Sequence, residues 1–160
     1  MAVVSQSELI LQRREWKRNG KRVVCAIGVF DLLHPGHIRM LEQARALGDI
    51  LVIGVQSDLR AREEKGPNRP VTPATERAEI LVALTAVDFA VVLNDDQSQN
   101  DFITQLLPDT LVQGRVSDSN KNAAAENGVA RAAGIKVIHI PPEPGHSTSR
   151  LIERIEQIRA

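Results

Sequence analysis

The chain has 160 residues, enough for one domain with a buried core, and is 42% hydrophobic and 25% charged. Twenty basic residues balance twenty acidic ones, which argues against the basic field of a nucleic-acid binder but leaves room for a local phosphate pocket. A single cysteine, Cys25, excludes an internal disulfide, and no run approaches the roughly 18 apolar residues of a membrane helix. Ala2-Val3-Val4 is too short for a signal peptide, so a cytoplasmic protein with no membrane partner is expected.

In chain order the pattern alternates helix and strand. Residues 6–18, with Leu9, Ile10, Leu11 and Trp16, read as a short amphipathic helix stopped by Asn19-Gly20 and packed on the domain. Residues 22–28 are an apolar, β-branched run suited to a strand buried on both faces, and Cys25 within it reads as a small core residue. A turn over 31–35 leads into a helix from Gly36 to about Leu47, ended by Gly48-Asp49. The second strand is 50–55, and a polar loop with one helical turn at most covers 57–73. Helix 74–85, strand 89–93, helix 101–107, strand 110–113, helix 120–133, strand 136–140 and a final helix 148–158 complete the chain.

Five apolar strands alternating with helices predict an α/β fold: a doubly wound three-layer sandwich on a five-stranded parallel sheet, as one domain over 1–160. Such folds bind ligands beyond the carboxyl ends of their strands. The loops to examine therefore follow Ile27, Val55, Val112 and Ile140.

The first of these loops carries the chemistry. Gly28-Val29-Phe30-Asp31-Leu32-Leu33-His34-Pro35-Gly36-His37 places two imidazoles around Pro-Gly where a strand hands over to a helix. Unpaired N–H groups and the positive end of the helix dipole make such a start an anion site. Gly36 lets a phosphate approach the backbone, Gly28 leaves room for a nucleotide at the strand end, and His34 and His37 can donate to phosphate oxygens. On its own, the tetrapeptide is equally well a helix-start turn with backbone-satisfied histidines. Asp31 is either the nearest lone carboxylate or a turn cap.

The segment 28–37 resembles the signature of the cytidylyltransferase-like nucleotidyltransferases, and within that family the chain is most similar to the adenylyltransferase domain of ADP-heptose synthesis. Residues 20–24, 44–49, 65–71, 76–77, 86–88 and 145–152 carry the resemblance along the chain in the same order. It implies transfer of AMP from ATP to a sugar 1-phosphate, heptose 1-phosphate first, with pyrophosphate leaving and Mg²⁺ travelling with the triphosphate. It implies His34, His37 and Lys65 as catalytic residues. Gly28, Val29, Phe30, Asp31, Gly36, Gly114, Ser147, Thr148 and Ser149 would bind nucleotide, and Arg69, Arg77 and Arg115 would bind the acceptor. Each has a plainer reading: a solvated Lys65, a loop-anchoring ion pair at Arg69, a site-organising Arg77, a helix cap at Ser147-Thr148-Ser149. A homodimer is also implied, and no dedicated protein metal cage.

Gly114-Arg115-Val116-Ser117-Asp118 departs from the Gly-Gly-Asp-Tyr that heptose-type domains carry, which leaves base and acceptor choice open. A glycerol-3-phosphate-type cytidylyltransferase using CTP is the nearest alternative, although Pro141-Pro142-Glu143-Pro144 stands where that group has an arginine. A nucleotide-binding domain without activity is the alternative from another class.

Overall fold

The computed structural model describes residues 1–114, 128–141 and 143–159. Its strands are β1 (Ala2–Val3), β2 (Val23–Gly28), β3 (Ile50–Val55), β4 (Phe89–Val92), β5 (Thr110–Gln113) and β6 (Lys136–His139), in the order β1-β4-β3-β2-β5-β6. All are parallel, as the apolar runs require, because a strand buried on both faces needs helices above and below. The expected five strands become six. Ala2 and Val3 pair with Phe89 and Ala90, and the Ala2 and Val4 N–H groups donate to the Asp88 and Ala90 carbonyls at 3.0 Å. A two-residue edge strand has no periodicity to betray it in the sequence.

Alternation along β2 feeds two cores. Val24 and Ala26 pack with Leu41, Leu51, Ile53, Ala78 and Leu81 on one face, and Val23 and Cys25 pack with Leu9, Phe102, Ile103 and Leu111 on the other. The first core is covered by α2 (Pro35–Arg45) and α4 (Ala74–Val82), and the second by α1 (Gln6–Arg18) and α5 (Gln99–Leu106). Burial of each such Leu, Ile or Phe contributes about 1.5–3 kcal/mol. Burial also pushes the Cys25 thiol up to about 12, which leaves it inert.

Residues 57–73 hold more helix than expected: α3 (Asp58–Lys65), capped by Ser57. Only Ala61 of it is buried, so it shows no apolar stripe from which a helix could be read. Residues 128–132 (α6) are helical, and α7 is Thr148–Arg159; the rest of the helix expected at 120–133 lies outside the described residues. No helix among the described residues is long and apolar enough to cross a membrane.

The chain runs outward from β2 through β3 to β4, then returns to the other side of β2 for β5 and β6. The carboxyl ends of β2 and β5 therefore flank the switch point where ligands bind in open parallel sheets. Gly48 lets α2 lie against this frame, since a Cβ there would sit 2.6 Å from Val24 Cγ2 and 2.8 Å from the Arg22 carbonyl.

Candidate active site

β2 ends at Gly28, and the chain then turns through buried Val29 and Phe30. Phe30 has φ 48°, an outlying conformation for a bulky residue, held by packing. Its ring covers Gly28, where a Cβ would come within 3.0 Å of Cε2, and lies 5.4 Å from the His37 ring. The room expected beside Gly28 is thus occupied by Phe30 itself.

Asp31 follows, with its side chain 1% exposed. Its Oδ1 accepts from the Val71 and Thr72 N–H groups at 2.8 and 2.9 Å, and its Oδ2 from Arg69 Nε at 2.6 Å. Burial pushes this carboxyl up, but the Thr72, Val71 and Arg69 donors together outweigh it and hold the group below the usual carboxylate range. Asp31 is therefore a staple between the β2 loop and residues 69–72, and Arg69 is its ion-pair partner.

Arg77 lies behind this loop with none of its side chain exposed. Its Nε donates to the Thr72 carbonyl at 2.8 Å, Nη1 to the Val29 carbonyl, and Nη2 to the Gln56 carbonyl at 2.8 Å and Asp58 Oδ1 at 2.7 Å. The expectation that Arg77 contacts the acceptor is corrected by this burial. Its guanidinium ties the ends of β2 and β3 to the start of α3 and to the 69–72 loop.

His34 is the N-cap of α2, with Pro35 at the first helical position and no acid in the first turn. Its Nδ1 accepts from the His37 N–H at 3.3 Å, which puts the ring proton of neutral His34 on Nε2, free to donate outward. The two rings stack with centroids 3.8 Å apart. Burial lowers the His34 pKa, with a further contribution from His146; burial lowers that of His37 to about 4, helped by His34. At neutral pH without a ligand both imidazoles are neutral donors. Among the described residues His37 Nδ1 is buried without a hydrogen-bond partner.

The second helix start is brought to the first. Ser147 caps α7, its Oγ accepting from the Arg150 N–H at 3.2 Å, and Thr148 Oγ1 donates to the Leu32 carbonyl at 3.2 Å. Glu143 forms an ion pair with Arg39 of α2, and the His146 ring lies 6.4 Å from that of His34. Gly36 sits between the two segments: a Cβ there would meet His34 Nδ1 at 3.1 Å and Glu143 Cβ at 3.3 Å. Ser149 is exposed in the first turn of α7, and Gly114 follows β5 with nothing nearer its missing Cβ than Met40 Cγ at 4.0 Å.

Lys65 closes α3, is exposed, and pairs with Glu64 at 2.6 Å; none of the described contacts brings it to the histidines. Arg115 lies outside the described residues. Sequence reasoning gave no role to Arg39, Glu143 or His146, although a histidine just before a helix start is the same signal that singled out His34. A cavity of about 300 Å³, mostly apolar between Phe30, Leu33, Ile80, Leu151 and Ile155 with Asp31 and Thr72 as its polar members, has no imidazole in its lining.

Two hydroxyl- or imidazole-capped helix starts thus face one another at the switch point, furnished with N–H donors and free of unpaired carboxylates in the first turn of α2. Helix starts of this kind are suited to a polyanion. Residues 25–154 match the cytidylyltransferase-like family model. The bifunctional protein HldE of Koribacter versatilis is 42% identical over 95% of this chain, and that of Citrifermentans bemidjiense is 46% identical over 89%. The chain spans only 31% and 28% of those relatives. The crystal structure of a lipopolysaccharide core biosynthesis protein from Thermoplasma volcanium superposes with TM-score 0.64 at 28% identity, covering 78% of this chain and 98% of that one. The chain belongs to the cytidylyltransferase-like family of nucleotidyltransferases.

Proposed function

We propose that the chain transfers AMP from ATP to a sugar 1-phosphate, with heptose 1-phosphate as the first candidate, releasing pyrophosphate. The observation that carries this reading is the meeting of the two helix starts, at His34–His37 and Ser147–Ser149, through the Thr148–Leu32 bond. The resemblance to the adenylyltransferase domain of ADP-heptose synthesis, with the HldE relatives and the lipopolysaccharide core biosynthesis neighbour, favours a heptose acceptor and adenylyl transfer over cytidylyl transfer.

A sugar phosphate is already anionic and needs no general base. One of its oxygens attacks the α-phosphorus, the new P–O bond forms as the bond to the bridging oxygen breaks, and pyrophosphate leaves with that electron pair. Catalysis then rests on alignment and on stabilising charge on the phosphoryl oxygens. His34 Nε2–H, the His37 ring and the Gly36, Thr148 and Ser149 N–H groups would supply this, the His37 and Arg150 N–H groups being engaged by His34 and Ser147. Lys65, at the glycine-flanked end of α3, would reach the phosphates by movement of that end. Among the described residues no group of three His, Cys, Asp or Glu side chains is placed to hold a metal ion, and the Asp31 oxygens are engaged by Arg69 and two N–H groups. Mg²⁺ would therefore enter on the triphosphate, and no step is assigned to it.

The test is pyrophosphate release with ATP and with CTP against a panel of sugar 1-phosphates and polyol phosphates. Release with ATP and heptose 1-phosphate is expected. Release only with CTP and a polyol phosphate would replace the proposal by the cytidylyltransferase reading.

A further inference from the structure

Three imidazoles, not two, gather at the two helix starts. The loop that carries His146 is held to α2 by the Arg39–Glu143 ion pair and to the β2 loop by the Thr148–Leu32 bond. The loop itself is turned by the His146 N–H bond to the Glu143 carbonyl at 3.3 Å and by Gly145 at φ 83°. These ties hold the His146 ring within 20° of parallel to His34, with centroids 6.4 Å apart, while His34 stacks on His37 at 3.8 Å. His146 is exposed and no described contact engages its ring nitrogens. The titratable and charged groups near it are the neutral imidazoles of His34 and His37, Arg39 paired with Glu143, and Arg150 of α7, whose Nη1 would lie 3.6 Å from a Cβ on Gly145. The one carboxylate among them is neutralised by Arg39.

We propose that His146 is a third phosphate-binding imidazole, which with His34 grips the triphosphate from the α7 side of the cleft. This rests on the reading that a nucleoside triphosphate occupies the two helix starts. Near-parallel rings at this separation donate from their own edges, so each would meet a different oxygen of one triphosphate chain. Without a ligand the His34 imidazolium is disfavoured by burial first and by the nearness of His146 second. A polyanion beside His34 would favour its charged form against that burial, so binding would draw in a proton. The same buried, unpartnered His37 Nδ1 would then lie beneath a filled anion site.

The experiment is calorimetric titration of the wild type, His146→Ala and His146→Asn with ATP, with inorganic triphosphate and with adenosine. It is run at a pH near 6.5, in two buffers of different ionisation heat. The wild type should take up protons on binding either triphosphate. Both variants should bind ATP and inorganic triphosphate about tenfold more weakly, the loss of one charge-assisted contact, with less proton uptake and unchanged adenosine affinity. In turnover, KM for ATP should rise more than kcat falls. Variants that bind both triphosphates within about twofold of the wild type, with equal proton uptake, would overturn the inference while leaving the transferase reading intact. A wild type that binds neither triphosphate would remove both. Weakened triphosphate binding in the variants, in a protein that turns over no acceptor in the panel, supports the role of His146 and removes only the assigned acceptor.

Discussion

Replacing Arg77 by Met keeps most of the side-chain stem and deletes the guanidinium. Four acceptors then lose their donor: the Val29, Thr72 and Gln56 carbonyls and Asp58 Oδ1, which keeps only the Ala74 N–H. An unsatisfied buried acceptor costs about 1–3 kcal/mol, so three carbonyls alone set a scale of roughly 3–9 kcal/mol. Relief of the desolvation of the guanidinium itself offsets part of this, and removal of one partner from a buried charged network typically nets about 3–5 kcal/mol. For a chain of this length that is a fall in Tm of about 6–20 °C. Urea denaturation of Arg77→Met and Arg77→Lys reads it directly, and Lys should rescue little, because one ammonium cannot serve four acceptors on three segments. Nucleotide affinity should fall with stability, since the same contacts set the ends of β2 and β3. A stability within about 1 kcal/mol of wild type would refute the reasoning, and Arg77 would then be free to act on substrate.

Other substitutions separate binding from folding. Gly36→Ala places a methyl 3.1 Å from His34 Nδ1 and 3.3 Å from Glu143 Cβ, so ATP affinity should drop at least about tenfold while the midpoint of urea unfolding hardly moves. Asp31→Asn breaks the buried pair with Arg69 and should cost about 3–5 kcal/mol in denaturant titrations at neutral pH. The Asp31 carboxyl is held below its unfolded value, so its contribution is present at neutral pH and disappears as acid titrates the folded group; the variant should show a flatter stability profile there. His37 runs the other way in origin but not in sign. Its folded pKa is about 4 against an ordinary 6.5, so the unfolded chain binds more protons between those values and stability falls as pH drops across them. The loss reaches at most about 3 kcal/mol, and His37→Asn should remove that slope from a pH series of unfolding midpoints. A series in which wild type and variant run parallel would count against the neutral, desolvated imidazole.

Much of the frame was legible in the sequence because β2 and β3 are buried on both faces and read as unbroken apolar runs, each followed by turn residues. The helix start at His34 was legible for a local reason: a capping side chain, Pro and Gly stand consecutively. Ala2–Val3 was not, since two residues carry no period, nor was α3, which buries only Ala61. Residues 44–49 and 86–88 entered the sequence reading as matching segments without a stated cause. The structure supplies one: Arg45 pairs with Asp88 at 3.3 Å, and Asp88 caps the Leu51 N–H at 2.8 Å at the head of β3. The inward turn of Arg77 was beyond reach because three of its four acceptors are carbonyls, which every residue has, and they converge from residues 29, 56–58 and 72 only once the sheet is built. The partnership of Asp31 with Arg69 was open for the same reason, as either residue alone is a credible ligand for an anion or a cation. His146 carried the right chemistry in the sequence, but its value lies in the 6.4 Å approach to His34, which depends on the Arg39–Glu143 and Thr148–Leu32 ties.

The most direct measurement supplies ATP radiolabelled in its α-phosphate together with heptose 1-phosphate and Mg²⁺, and follows where the label goes in the wild type and in His37→Ala. Label appearing in a nucleotide-sugar, with unlabelled pyrophosphate released and both lost in the variant, is the expected result. Label that stays in ATP while the wild type demonstrably binds it, with this acceptor and with every other sugar 1-phosphate supplied, would contradict adenylyl transfer at the two helix starts.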